Sequence, residues 1–204
     1  SGNLILYGEN ATALQFATIN MNGGRSFRVK AANVTVGGIK GSAGTIANED
    51  ATPRTLTVNN AVALSYAARL GDGSANGNAF SLVKLGNGSL TLSGTNTYTG
   101  TTTVSGGSLM VSSSLSTGAV AVTAGATLGG TGTIGGPVAV NGAAEAKATL
   151  SLVNGDLASL TLKDSLTLGA NAVTSLEISR KTGILADQVK VTGDVLYGGT
   201  LRVA

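Results

Sequence analysis

The sequence predicts an all-β fold, a single-domain parallel β-solenoid, and three observations predict it. Apolar and polar residues alternate with a period of two in short stretches along the 204 residues, as half-buried strands require. There are 31 Gly against 2 Pro, which suits many tight turns joined by long backbone ladders. Leu90, Leu109 and Leu128 recur at even spacing, the regular unit length that stacked coils produce. With about 20 residues per coil and ~4.8 Å between stacked strands, the chain would make about ten coils, a rod of roughly 50 Å.

From the amino terminus, Leu4-Ile5-Leu6 lies in an apolar, strand-like stretch. Residues 11 to 22 read equally as helix or strand. The stretch from Asn60 to Gly71 is alanine-rich and ends in glycine, as a short capped helix would. Strand is the better reading there, because the flanks alternate and tertiary pairing overrides propensity. Ser89-Leu90-Thr91-Leu92-Ser93 and Ser108-Leu109-Met110-Val111-Ser112 alternate cleanly, as do residues 119 to 123, 159 to 162 and 188 to 192. VSGGSLMV (104 to 111) and VTAGATLGG (122 to 130) read as two copies of one unit. Thr200-Leu201-Arg202-Val203 is strand-like to the end. No linker or composition shift divides the chain.

Composition excludes several functions. Aromatic residues are 3% and charged residues 11%, so the interior must be filled by Val, Leu, Ile and Ala. A net charge of +3 and a pI near 9.3 reflect scarce acids, since the bases are scattered and Arg180-Lys181 is the longest basic run. Nucleic-acid binders gather such charge on one face with aromatics between, so nucleic acid is not an expected partner. Without Cys or His there is no disulfide or thiolate, and the commonest general base and metal ligand are missing. No cofactor and no metal are expected. No apolar run approaches the length of a membrane span. No leader is visible ahead of Ser1, which reads as either a processed terminus or a boundary.

LGGTGTIGGP (128 to 137) carries the glycine spacing of a dinucleotide loop, Gly130-x-Gly132-x-x-Gly135. That loop needs a helix opening on it, and here a strand-like Val138-Ala139-Val140 follows, so the glycines read as turn residues. Only ten acids exist. A polysaccharide-active enzyme would cluster carboxylates on one face, but Glu49-Asp50 is the sole adjacent pair and sits in a turn before Pro53. Asp187 and Asp194, with Lys190 between, read as turn caps. Calcium-binding solenoids repeat GGxGxD, and the aspartate is missing here.

Residues 81 to 111, SLVKLGNGSLTLSGTNTYTGTTTVSGGSLMV, closely resemble the autotransporter-associated β-strand repeat, also called the passenger-associated transport repeat. The matching parts are Leu82-Val83-Lys84, Gly86-x-Gly88, Leu90-x-Leu92, the run Gly94-Thr95-Asn96-Thr97-Tyr98-Thr99-Gly100, and Val104 followed by Gly107-Ser108-Leu109. Segments 21 to 29, 41 to 58, 119 to 142 and 186 to 203 are similar to the coils that accompany that repeat. The resemblance implies a right-handed β-helix at or beyond a bacterial cell surface, without catalytic activity. Gly94, Asn96, Tyr98 and Gly100 are then structural positions, with Asn96 satisfying turn backbone and Tyr98 packing over a coil edge.

A solenoid leaves unpaired strand edges and open apolar layers at its ends. Leu4, Ile5, Leu6, Leu201 and Val203 are the expected contacts for end-to-end self-association into a fibre or surface layer, since head-to-tail contacts propagate. The alternative is a stalk or adhesion module of a larger autotransporter-like passenger, and a polysaccharide-active enzyme is a distant third. The expected partners are a second copy of the chain and surface polysaccharide.

Overall fold

Parallel pairing between strands one coil apart organises the molecule. A computed structural model describes residues 4–6, 14–30, 32–179 and 185–204. One side is an eight-stranded parallel sheet, in order Val34–Val36, Arg54–Asn59, Phe80–Leu85, Thr102–Val104, Val120–Val122, Val138–Val140, Leu166–Leu168 and Val195–Tyr197. The next is a seven-stranded sheet running from Leu64–Tyr66 through Ser89–Leu92, Ser108–Val111, Thr127–Gly130, Ala148–Ser151 and Ala172–Leu176 to Thr200–Val203. The third side is split into two four-stranded sheets. The first joins Leu4–Leu6, Ser26–Val29, Thr45–Asn48 and Arg69–Leu70, and the second Ser114–Leu115, Thr133–Ile134, Ser159–Leu162 and Gln188–Val191. The all-β parallel solenoid expected from the sequence is what the chain forms.

The registers convert the sequence alternation into columns. Leu64, Leu90, Leu109, Leu128 and Leu150 stack one above another on the seven-stranded side. Val58, Lys84, Val104, Val122, Val140 and Leu168 stack on the eight-stranded side. Leu90, Leu109, Leu128 and Leu150 are all 0% exposed, and each such aliphatic side chain contributes about 1.5–3 kcal/mol by leaving water. The alternating strands 89–92, 108–111 and 159–162 show this burial as intermediate, buried, intermediate, buried.

The coil number differs from expectation. The longest sheet has eight strands, not the ten anticipated, because only the middle coils keep the short repeat. Leu82, Thr102, Val120 and Val138 succeed one another at short and nearly even steps along the chain. The steps from Val138 to Leu166 and from Leu166 to Val195 are markedly longer. The added length sits in turns: residues 142–147 and 153–158, and an antiparallel pair Ile178–Ser179 with Leu185–Ala186. Nearer the amino end, the step from Leu56 to Leu82 is also long. It includes a short helix, Ala75–Asn78, absent from the sequence reading.

The ambiguous stretches resolve as strands. Residues 60–71 hold Leu64–Tyr66 and Arg69–Leu70, paired to neighbouring coils. Within residues 11 to 22, a turn at 14–16 leads into the strand Thr18–Asn20, and 11–13 lie outside the described residues.

Candidate functional site

Two places gather the residues singled out by sequence: the repeat segment at 82–111 and the last coil. In the repeat, Asn96 is 3% exposed. Its Oδ1 accepts from the Leu70 N–H at 3.2 Å, and its Nδ2 donates to the carbonyls of Gly94 at 2.8 Å and Ser114 at 2.9 Å. Leu70 lies one coil back and Ser114 one coil on, so one side chain ties three coils together. Gly94 and Gly100 allow the close approach this needs, since an added Cβ would fall 2.0 Å from the Ala68 carbonyl oxygen and 2.5 Å from that of Phe80.

Tyr98 lies inside the solenoid, 1% exposed, rather than over a coil edge. Its ring stacks on Phe80 at 5.2 Å between centroids, and its hydroxyl bonds the Thr102 hydroxyl at 2.6 Å. Burial pushes its phenol well above the ordinary range, with the Thr102 bond opposing. A fully buried, fully bonded tyrosine offers nothing to a ligand.

Sequence reasoning missed Lys84 as a distinct feature. It occupies an inward position of the Phe80–Leu85 strand, stacked between Val58 and Val104, and is 0% exposed. Its ammonium leaves the apolar column at the corner and donates to the carbonyls of Leu85, Gly86 and Gly106 at 2.5, 2.9 and 3.1 Å. Burial draws it down from 10.5 to about 8. The signal was parity: Phe80, Leu82 and Lys84 share one face of an alternating strand. Two further asparagines were missed. Asn48 and Asn60 are 1% and 0% exposed, and each donates to the next coil, Asn48 to Ala79 and Asn60 to Ser89.

Among the described residues, the acids do not assemble a catalytic group. Glu49 lies 3.7 Å from Arg28, and Asp50 takes a two-pronged contact from Arg54 at 3.0 and 2.7 Å. Arg28 also pairs with Asp72. Desolvation would raise the Asp72 carboxyl, but hydrogen bonds from Ser74 and Arg28 outweigh it and hold it at about 2. Asp187 is buried and accepts from the Ala158 and Glu177 N–H groups, both at 2.7 Å, as a cap joining two turns. Asp194 is exposed beside the last coil. Glu9, Arg180 and Lys181 lie outside the described residues.

The glycines of 128–137 have a mechanical role. Gly130 has φ +112°, and an added Cβ would lie 2.1 Å from the Val111 carbonyl oxygen. Thr133–Ile134 and Val138–Val140 follow as strands, so no helix opens on the loop. A shallow trough of about 260 Å³ crosses the outer face of the eight-stranded sheet, lined by Thr101, Thr103, Ala119, Ala121, Ala139, Thr167 and their neighbours. None of its lining residues carries charge.

The last coil is the second place. Val195 and Tyr197 continue the columns of Leu166 and Leu168, and Leu201 and Val203 continue those of Thr174 and Leu176. Leu166 and Leu168 are 4% and 3% exposed, whereas Val195, Tyr197, Leu201 and Val203 are 54%, 48%, 52% and 58% exposed. The same inward positions are thus covered in one coil and open in the next. At the other end, Leu4–Leu6 is a strand paired to Phe27, Arg28 and Val29, and its side chains lie outside the described residues.

Residues 82–111 match the family model of the passenger-associated transport repeat. Comparison of the chain with curated proteins and with solved structures found no match.

Proposed function

We propose that this chain is a non-catalytic structural segment of a bacterial surface protein of the autotransporter-passenger kind, displayed outside the cell as a rigid β-solenoid. The observation that carries this reading is the repeat match at 82–111, placed in the middle of the ladders with its polar residues bonded internally. Asn96, Tyr98 and Lys84 join coils and leave no reactive group in the open. The acids support the absence of catalysis: Glu49, Asp50 and Asp72 are paired with arginines, and Asp187 is held by backbone N–H groups. Protease treatment of intact source cells tests display: loss of the protein with the cells unbroken is expected, and full protection would overturn the reading.

The finer part of the proposal concerns the last coil. Its open columns and free strand edges repeat, one step further on, the coil-to-coil interface already used between Leu166–Leu168 and Val195–Tyr197. A further β-coil fits this surface, and the proposed source is a second copy of the chain, giving end-to-end self-association. The stalk reading takes the covering coil from more of the same polypeptide. Sedimentation of the 204-residue chain across a concentration series separates them. Mass that grows with concentration supports self-association, and a monomer at every concentration gives the stalk.

A further inference from the structure

We propose that the trough on the outer face of the eight-stranded sheet binds a neutral polysaccharide, one extended chain lying along the strands. The site is built from residues between Thr101 and Thr167 and owes nothing to what covers the last coil. Side-chain size in one outward column sets its shape. Val83, Thr103, Ala121, Ala139, Thr167 and Leu196 succeed one another there, and the two alanines are the smallest of that run. With Ala119 and Pro137 they form an apolar floor. Thr101 and Thr103 stand on one side of it, Ser165 and Thr167 on the other. These hydroxyl rims are three ladder steps apart, about 14 Å at ~4.8 Å per step.

The chemistry of this lining selects the occupant. No lining residue is charged, and Lys163 and Asp164, in the turn before Ser165, stay outside it. A polyanion is held by Lys and Arg that neutralise its charges, and it finds none here. A folded protein fails on area. A floor of about 14 Å by roughly 10 Å offers on the order of 140 Å², against ~800 Å² per partner in a stable interface. An extended peptide fails on hydrogen bonds. Val120–Val122 and Val138–Val140 are already paired on both sides, so the peptide would press its own amides, unpaired, onto methyl groups, which costs free energy.

A neutral sugar ring meets both parts of the site. Its C–H face is apolar and suits the floor, while its hydroxyls project from the ring edge toward rims that both donate and accept. Among the described residues, the Thr103, Ser165 and Thr167 hydroxyls make no bond within the protein, and Thr101 has only a long contact, 3.4 Å, to the Ser81 hydroxyl. These groups are free for a ligand. No aromatic ring lines the floor, so no stacking adds to the affinity and each site binds weakly.

Methyl NMR of the full chain, labelled at alanine, tests this, with dextran, laminarin and galactomannan as neutral probes and polygalacturonate as the charged one. At least one neutral polymer should shift the Ala119, Ala121 and Ala139 methyl signals and leave those of buried Ala148 and Ala172 unmoved. Ala121→Ile combined with Ala139→Ile fills the floor with side chains that suit a strand. That pair should weaken binding at least tenfold, whereas Thr127→Ile on the neighbouring sheet should not change it. Thr103→Val combined with Thr167→Val removes two rim hydroxyls and should also weaken binding, with circular dichroism unchanged. No shift with any neutral polymer would overturn the proposal, and so would polygalacturonate binding at least as well. Shifts of the three methyls that grow with protein concentration alone would overturn it in favour of a second copy of the chain on this face.

Discussion

Asn96 shows how a single polar residue can hold a solenoid together. Removing its side chain leaves the Leu70 N–H and the Gly94 carbonyl without this partner, in a buried place, while the Ser114 carbonyl keeps only the Asn96 backbone N–H. Each orphaned buried group costs about 1–3 kcal/mol. Asn96→Ala is therefore expected to lower stability by about 3 kcal/mol in urea unfolding, and a loss below about 1 kcal/mol would contradict the tie between coils. Lys84 makes the opposite kind of contribution, a buried charge whose solvation is replaced by three carbonyls. Below pH about 8 both the folded and unfolded chains hold the proton, and the cost of burying it is fully present. Between about 8 and 10.5 the folded chain releases its proton first, so stability rises with pH across that window. Urea titrations from pH 7 to 10 should show the parent gaining on Lys84→Met, and parallel curves would refute the assignment. The turn role of Asn96 was legible through the repeat resemblance and the inward position of Lys84 through strand parity, but the bonds to neighbouring coils were not. Many asparagines stand in similar turns, and only position in the stacked structure decides that Asn48, Asn60 and Asn96 point inward.

Among the elements, strands were legible and turns were not. Ser89–Leu92 and Ser108–Val111 alternate because one face is buried, and burial is what sets their pattern. The helix Ala75–Asn78 has the sequence Ala-Asn-Gly-Asn, too short for any period to show, and it exists because of its cap. Ser74 accepts from the Gly77 N–H at 2.9 Å and donates to Asp72 at 2.6 Å. Losing such a cap costs about 1 kcal/mol, so Ser74→Ala should destabilise by about that amount and speed proteolysis between residues 71 and 79. Asp72 joins this turn to Arg28, two coils away. Its carboxyl falls from 3.8 to about 2 on folding. The stability this gives is present above pH about 4 and is lost as pH falls toward 2. Asp72→Asn should flatten the acid limb of the stability profile in that interval. An unchanged acid limb would mean that the Ser74 and Arg28 contacts together do not hold the carboxylate down on folding.

At the scale of the whole molecule, stability in a solenoid is close to a sum of coil contributions and contacts between neighbours. A coil with one neighbour is held less firmly than a coil with two, whatever its own sequence. Val120–Val122 lies between Thr102–Val104 and Val138–Val140, while among the described residues Val195–Tyr197 pairs only with Leu166–Leu168. The openness at residues 195–203 therefore could not be read locally, although the strand pattern of 200–203 could. Val195-Leu196-Tyr197 does not alternate and reads as a small apolar cluster. Amide exchange in the monomer should accordingly fall off in protection toward the carboxyl end. Val195–Tyr197 and Thr200–Val203 should exchange at least tenfold faster than Val120–Val122 and Thr127–Gly130. The proposed association through the last coil would give those strands a second neighbour, so the same amides should then become protected as concentration rises while the central strands stay unchanged. Protection that rises instead at Thr18–Asn20 would place the contact at the amino end. Exchange that is uniform along the chain would mean that the ladder opens as one cooperative unit, and that the last coil is held as firmly as the rest.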